Sequence, residues 1–560
     1  MSPALAAALQ LALVVAVLAV LYVPLGDHMA RTYTSRTHLR VERIGYRMVR
    51  VDPDADQSWK AYAASVLAFT LVSILGLYLL QRVQGVLPLS NGLAGVSPSV
   101  AFNTAISFAT NTNWQSYVPE TTMGHLTQMI GLTVQNFLSA SVGMAVAVAL
   151  IRGIVAVRGG GLGNFWVDLT RGVVRILLPL SIIVAIILLT QGVIMSLHTS
   201  FTATGLDGST SAYALAPVAS QEAIKELGTN GGGVLNTNSA HPFENPTPLS
   251  NVVEVIALLL IPVCLTRTFG TMVRDRRQGT VLLAVMGALW AAQLAVGLWA
   301  ESSPHGVAAQ AAGAMLEGKE VRFGIPSSVL FAVSTTGTST GAVNSMHDSY
   351  TGLGGGGLLL NMLFGEIAPG GVGSGLFGIL VLAVIAVFVG GLLVGRTPEY
   401  LGKKIGRREI TMAALSILVM PALVLICTAV AVVLPSTSGA LGNSGDPGTP
   451  GAIHGFSEVL YAFASAANNN GSAFAGITVT NDFFQIALGL AMLLGRLLPI
   501  VFILALAGSL AEQTPTPAST GTLPTRGVQF GVLLVGVVIL VAALTFFPAL
   551  ALGPIAEALV

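Results

Sequence analysis

The 560-residue chain is poor in charge: 9% of its residues are Asp, Glu, Lys or Arg, against roughly 25% in soluble globular proteins. That shortage excludes a soluble domain. Its 26 basic and 25 acidic residues leave a net charge of +1, so the basic footprint of a nucleic-acid binder is missing. There are two cysteines, Cys264 and Cys427, both inside apolar runs, which excludes a disulfide framework. There is no aspartyl-phosphate signature, and two near-matches to nucleotide-binding motifs fail on context. Gly373-Ser374-Gly375-Leu376-Phe377-Gly378 has no βαβ unit around it, and Gly313-Ala314-Met315-Leu316-Glu317-Gly318-Lys319-Glu320 has Glu where a phosphate loop needs Ser or Thr. What the chain has in abundance is apolar sequence: 53% hydrophobic residues, 64 glycines and a mean hydropathy of +0.78. This is the composition of an integral membrane protein, with glycine at the density that close helix packing or bent backbone at membrane depth demands.

A spanning helix takes about 20 mostly apolar residues, and ten such spans are predicted, near 4–25, 60–83, 123–151, 173–197, 249–271, 280–300, 357–394, 411–434, 483–510 and 527–551. The first has no basic residue before it and no small-residue cleavage site, so it reads as a helix and not as a signal peptide. Every second connection is rich in arginine: Arg31 to Arg50, then Arg152 to Arg175, Arg267 to Arg277, and Arg396 to Arg408. The alternate connections carry only Arg82, Lys225, Lys319 and Arg322. The positive-inside rule puts the basic loops in the cytoplasm and the N-terminus outside.

Each of the four base-poor outer connections holds a semi-apolar stretch too short to span: 102–115, 217–233, 328–344 and 456–476. Pro98, Pro217 and Pro326 stand near three of their starts, as proline does in a first helical turn. Each stretch runs into a polar strip. The strips contain Thr110-Asn111-Thr112-Asn113, Thr229-Asn230-Gly231-Gly232, Ser339-Thr340-Gly341 and Asn469-Asn470-Gly471. They recur every ~110–130 residues, as copies of one supersecondary unit do, and all enter from the same side, so the repeats are parallel. The predicted fold is therefore all-α, with four parallel helix–pore loop–helix repeats at 59–152, 171–275, 279–397 and 409–511. An N-terminal helix and basic loop (1–58) precede them, and a C-terminal helix (526–551) follows.

Irregular backbone survives at membrane depth only when buried in protein or lining a watery cavity. Four strips meeting on one axis present backbone carbonyls and Thr hydroxyls that replace the hydration shell of a monovalent cation. The short helices aim C-termini inward, adding about half a negative charge each. None of the strip residues named above is acidic, which favours potassium over calcium. Glycine supplies positive φ in the last three strips, and asparagine, the next most tolerant residue, does so in the first. Gln115, just above the first strip, reads either as a group that helps dehydrate an entering ion or as a brace. Glu254, near the start of the fifth span, reads as interfacial and is assigned no role.

Several long stretches resemble one known family: Thr110-Asn111-Thr112-Asn113-Trp114-Gln115-Ser116-Tyr117, Gly131-Leu132-Thr133-Val134-Gln135-Asn136-Phe137-Leu138-Ser139-Ala140, Gly228-Thr229-Asn230-Gly231-Gly232-Gly233, Ser239-Ala240-His241-Pro242-Phe243-Glu244-Asn245-Pro246, and Gly395-Arg396-Thr397-Pro398-Glu399-Tyr400. The run from Ala466 to Gly476 is similarly close. Over essentially its whole length the chain resembles the KdpA family, the potassium-binding subunits of potassium-transporting ATPases. The resemblance implies a potassium-transporter fold and a subunit that binds and selects potassium in a bacterial inner membrane. It also implies a P-type ATPase partner, KdpB, with KdpC and often KdpF, so ATP chemistry would belong to another chain. Thr340 stands where the family's pattern has Cys. The resemblance further suggests that the segment around Glu366, Gly370 and Gly371 gates the path below the filter. The other reading of Glu366 is a brace for broken backbone. Arg496, midway along the ninth span, reads as facing the cavity below the filter or as a structural partner, with Glu366 one candidate for the pairing. A self-contained potassium channel or cation symporter of the same superfamily needs the same filter and stays open as the alternative.

Overall fold

The computed structural model describes residues 3–303, 310, 315–437, 440, 450–517 and 521–559. Gly313 and Ala314 of the phosphate-loop near-match lie outside them. Among the described residues, ten helices are long and apolar enough to cross a membrane: Leu5–Thr34, Trp59–Val86, Thr127–Val155, Phe165–Gln191, Pro248–Met272, Arg276–Ser302, Ser374–Leu393, Arg407–Val433, Asp482–Glu512 and Val528–Leu552. Four short helices, Pro98–Ala109, Val218–Leu227, Gly324–Gly337 and Pro450–Asn468, lie between successive pairs of them.

Burial sorts the spans. The most apolar stretch of Thr127–Val155 is 83% buried and that of Pro248–Met272 is 78% buried, whereas that of Leu5–Thr34 is 6% buried. The third span explains its central place by its residues. Ala140, Met144, Ala145, Val146, Ala147, Val148 and Ala149 are all fully buried, and a Cβ on Gly143 would sit 2.2 Å from the Val372 carbonyl oxygen. Lipid supplies no hydrophobic drive between helices, so close backbone approach over small residues holds such a bundle together. The peripheral first and fourth spans instead expose Val15, Val20, Ile182, Ile183 and Ile186, an outer surface suited to lipid.

Three boundaries differ from those expected from the sequence, each for an electrostatic or backbone reason. The first span runs on to Thr34 because Asp27 is held by Arg267 (2.8 Å) and Thr271 (2.8 Å) of the fifth span. The fourth begins at Phe165, not near 173. Asp168 pairs with Arg152, and Arg175 with Glu42, so charges that read as loop lie on a helix. The apolar run near 357–394 is two helices, Gly352–Leu363 and Ser374–Leu393, separated by ten non-helical residues, 364–373, in which Glu366, Gly370 and Gly373 have positive φ. A two-stranded hairpin, Ser200–Thr204 with Thr210–Ala214, fills the connection after the fourth span.

Candidate functional site

The C-terminal ends of the four short helices unwind in the same way. Within two residues of each short helix's end the backbone turns left-handed, at Asn111 (φ 65°), Thr229 (48°), Ser339 (57°) and Asn469 (60°). The chain then folds back so that the amide of Thr112, Asn230, Thr340 or Asn470 donates to a carbonyl five residues earlier. The acceptors are Ser107 (2.9 Å), Lys225 (2.9 Å), Thr335 (3.1 Å) and Ser465 (2.9 Å). These bonds satisfy carbonyls that a helix end otherwise leaves orphaned. The expectation that glycine provides the positive φ in the last three strips, and asparagine in the first, holds at Gly231, Gly471, Asn111 and Asn113 and fails at Gly341. The first left-handed position is non-glycine in all four strips. Two residues on, Asn113, Gly231 and Gly471 are left-handed and Gly341 is not.

The strips close a ring. From the first to the second, Asn111 Nδ2 donates to the Gly228 (3.2 Å) and Thr229 (3.0 Å) carbonyls, while Asn230 Nδ2 donates to Asn111 Oδ1 (2.6 Å). From the second to the third, the Gly341 amide donates to the Asn230 carbonyl (3.3 Å). From the third to the fourth, Ser339 Oγ donates to the Asn469 carbonyl (3.0 Å), and Asn470 Nδ2 reaches back to that of Thr335 (3.3 Å). From the fourth to the first, Asn469 Nδ2 donates to Thr112 Oγ1 (2.9 Å). Glycine permits this closure. A Cβ on Gly231 would lie 2.1 Å from the Gly341 nitrogen, on Gly232 2.5 Å from the Asn113 oxygen, on Gly341 2.6 Å from the Gly471 carbonyl carbon, and on Gly471 1.9 Å from the Thr112 oxygen. Thr110 and Thr112 pair through their hydroxyls (2.7 Å), as Thr338 and Thr340 do (2.8 Å).

Gln115 is half-buried and clasps Gly233 at both ends: its Nε2 donates to the Gly233 carbonyl (3.0 Å) and its Oε1 accepts from the Gly233 amide (3.1 Å). That geometry braces the first strip against the second. The broken segment 364–373 sits against the ring. The Gly370 amide donates to the Gly337 carbonyl (2.7 Å), the Val372 amide donates to Thr229 Oγ1 (3.0 Å), and a Cβ on Gly371 would meet the Ser339 Cβ at 2.8 Å. Glu366 and Arg496 are both buried and both line a cavity of about 120 Å³ that the fourth strip's Asn468 and Asn469 also border. Glu366 Oε1 and one terminal guanidinium nitrogen of Arg496 lack hydrogen-bond partners, and the two residues form no ion pair among the described residues.

Three features escaped the reading of the sequence. Lys225 is fully buried among Glu222 (2.7 Å), Glu244 (2.5 Å) and Glu226 (3.6 Å). Glu254 is not interfacial: it is fully buried, and its carboxylate lies within 4.8 Å of those of Glu222 and Glu226. Asn238 donates to the Gly231 carbonyl (2.7 Å) and accepts from Lys225 Nζ (2.9 Å), so it joins the second strip to this cluster. Ser139 of the third span donates to Asn111 Oδ1 (2.7 Å); it lay within a family-like stretch but had no assigned role. At the start of the fourth short helix, His454 bridges Asp348 (2.9 Å) and Glu557 (2.8 Å). Burial opposes its charge, yet the hydrogen bonds to Asp348 and Glu557 outweigh that and hold its pKa up at about 10.

The KdpA family model, described as "Potassium-transporting ATPase A subunit", matches residues 12–559. The chain belongs to that family. A "Potassium-transporting ATPase potassium-binding subunit" of Rhodococcus opacus (strain B4) is 74% identical over 560 residues, covering 100% of both chains. One of that name from Streptomyces coelicolor is 58% identical over 559 residues, again covering 100% of each. Among solved structures, the potassium transporter TrkH from Vibrio parahaemolyticus superposes with a TM-score of 0.53 at 13% identity, over 86% of this chain and 97% of that one. That likeness establishes the fold. Family membership and TrkH-like architecture together make this a multi-pass membrane member of the KdpA family, built on the potassium-transporter fold.

Proposed function

We propose that this chain is the potassium-binding and translocating subunit of an ATP-driven uptake complex in the bacterial cell membrane. The observation that carries the reading is the closed ring of four strips, whose backbones meet through glycine and whose hydroxyls and amides tie each strip to the next. In this reading the four repeats (59–152, 171–275, 279–397 and 409–511) each contribute one strip. The filter is formed by Thr110, Asn111, Thr112, Asn113, Thr229, Asn230, Gly231, Gly232, Ser339, Thr340, Gly341, Asn469, Asn470 and Gly471. The ring opens to the extracytoplasmic side, where the N-terminus also lies, and Gln115 holds its entrance.

Among the described residues, the carbonyls of Asn111, Thr112, Ser339 and Asn470 accept no hydrogen bond. Such oxygens suit a potassium ion shedding its water, because fixed carbonyl dipoles cost little to reorganise and the ion's dehydration penalty is modest. Four helix C-termini add to the negative potential. Below the ring, the 364–373 segment forms the gate. Arg496 discourages the cation from resting in the cavity, and Glu366 biases the segment's position. The ion then passes to a P-type ATPase subunit, KdpB, within an assembly that includes KdpC and KdpF. ATP is hydrolysed there and not on this chain.

The test uses Gly232→Asp, which pushes a carboxylate into the Asn113 backbone. The apparent potassium affinity of the reconstituted complex, read from potassium-stimulated ATP hydrolysis, is expected to fall about a hundredfold, the equivalent of ~2.7 kcal/mol. Unchanged affinity would exclude the ring as the binding site. Passive potassium uptake by this chain alone in liposomes would favour the self-contained channel. In the same assay, Glu366→Gln with unaltered rate and affinity would remove that residue from gating.

A further inference from the structure

A second concave site lies where the first, third and fifth spans end and the fourth begins. It is an open cavity of about 980 Å³ whose wall includes Arg31 in the last turn of the first span and Arg36 after it, Arg152 from the third, Arg171 from the fourth, and Arg274 beyond the fifth. The same wall holds three acids against these five arginines. Asp168 holds Arg152 through two contacts (2.5 and 2.8 Å), Asp54 faces His38 (3.6 Å), and Asp56 accepts from the Gly163 amide (2.6 Å). Arg31, Arg36, Arg171 and Arg274 make no ion pair among the described residues. Two lining groups are buried and unsatisfied: Arg171 Nε, in a residue 4% exposed, and the Tyr33 hydroxyl, in a residue 2% exposed.

We propose that this cavity binds a phosphate group, either in the headgroup of an anionic phospholipid or in a soluble phosphate ester. Guanidinium forks match phosphate oxygens in charge and in paired geometry, and a basic pocket between helix ends is where an acidic headgroup docks. Arg31, Arg36 and Arg274, all exposed and free of ion pairs among the described residues, close over the anion from the rim. Val155, which also lines the cavity and is 46% exposed, offers an apolar wall beside it. Nothing in this role touches the four strips, so it stands apart from ion selection.

Native mass spectrometry of the full-length chain in detergent tests it, with dioleoyl-phosphatidylglycerol and dioleoyl-phosphatidylcholine as probes. Phosphatidylglycerol is expected to bind about tenfold more tightly, the change that one charge-assisted contact produces. The Arg36→Ala/Arg274→Ala double variant, altered only at exposed side chains, should lose that preference while keeping its melting temperature. Inorganic phosphate or glycerophosphoglycerol competing as well as the lipid would support the phosphate site and identify its ligand as soluble. Equal binding of the two lipids without competition by phosphate would overturn the proposal, as would an unchanged preference in the double variant. Displacement of phosphatidylglycerol by a polyglutamate peptide but not by phosphate would overturn it in favour of an acidic protein segment.

Discussion

The second strip differs from the other three in what stands behind it and in what its carbonyls do. At the position that accepts the returning amide, the first, third and fourth strips carry a hydroxyl residue that bonds its own strip. Ser107 donates to the Trp114 carbonyl (2.8 Å), Thr335 donates to that of Thr340 (2.7 Å), and Ser465 accepts from the Gly471 amide (3.1 Å). The second strip has Lys225 there, sunk among buried carboxylates. Its carbonyls from Gly228 to Gly233 all accept hydrogen bonds, from Asn111, the Gly341 amide, Asn238, Gln221, Gln115 and Gln128. The other strips leave several carbonyls open. Four strips of one backbone shape therefore divide the work: the second is the hub that fixes the ring, and the rest keep more lone pairs free.

This division predicts where substitutions hurt stability and where they hurt affinity. Lys225→Met should have the largest effect. It strands Glu222, Glu226 and Glu244 without their cation and is expected to cost about 3–5 kcal/mol, seen as a large drop in the melting temperature of the detergent-solubilised chain. A near-normal melting temperature would break the comparison. Gly231→Ala and Gly341→Ala come next. Both meet neighbouring backbone, but only Gly231 has positive φ (95°), which adds ~1–2 kcal/mol for an L side chain. The apparent potassium affinity of the reconstituted complex should fall about tenfold further for Gly231→Ala. Ser465→Ala removes one hydroxyl hydrogen bond and should cost only about 1 kcal/mol of stability, well short of its counterpart Lys225.

The last expected effect is one of pH, through the clamp on the fourth short helix. His454 has a folded pKa of about 10 against an ordinary value of 6.5. Its stabilising protonation is therefore complete below 6.5 and is lost as pH rises through about 10. The melting temperature of the parent chain should fall over that window more steeply than that of His454→Gln. Parallel curves would remove the clamp.

Much of the architecture was legible because it rests on local composition. Each of the ten spans is a run of apolar residues, and the strips announce themselves as Thr, Asn, Ser and Gly in otherwise apolar sequence. What was not legible depends on partners far along the chain. Asp168, Arg171 and Arg175 read as loop because the contacts that shelter them (Arg152 for Asp168, Glu42 for Arg175 and the Thr37 carbonyl for Arg171) come from other elements. Glu254 read as interfacial because its neighbours, Glu222 and Glu226, lie some thirty residues earlier, on a helix that stops short of crossing. The left-handed turns at Thr229 and Ser339 broke the rule that glycine marks positive φ: the Val372 amide bonds Thr229 Oγ1, and Ser339 Oγ bonds the Asn469 carbonyl of the next strip. One signal was available in the sequence: aligning the strips places Ser107, Lys225, Thr335 and Ser465 in register, and a lysine among three hydroxyl residues marks the odd strip.

The most direct test of the ring as the potassium site is anomalous diffraction from crystals of the assembled complex soaked in rubidium. The account predicts an anomalous peak enclosed by all four strips, in contact with carbonyl oxygens of the first, third and fourth. A ring without rubidium, with the ion bound elsewhere in the chain, would contradict it.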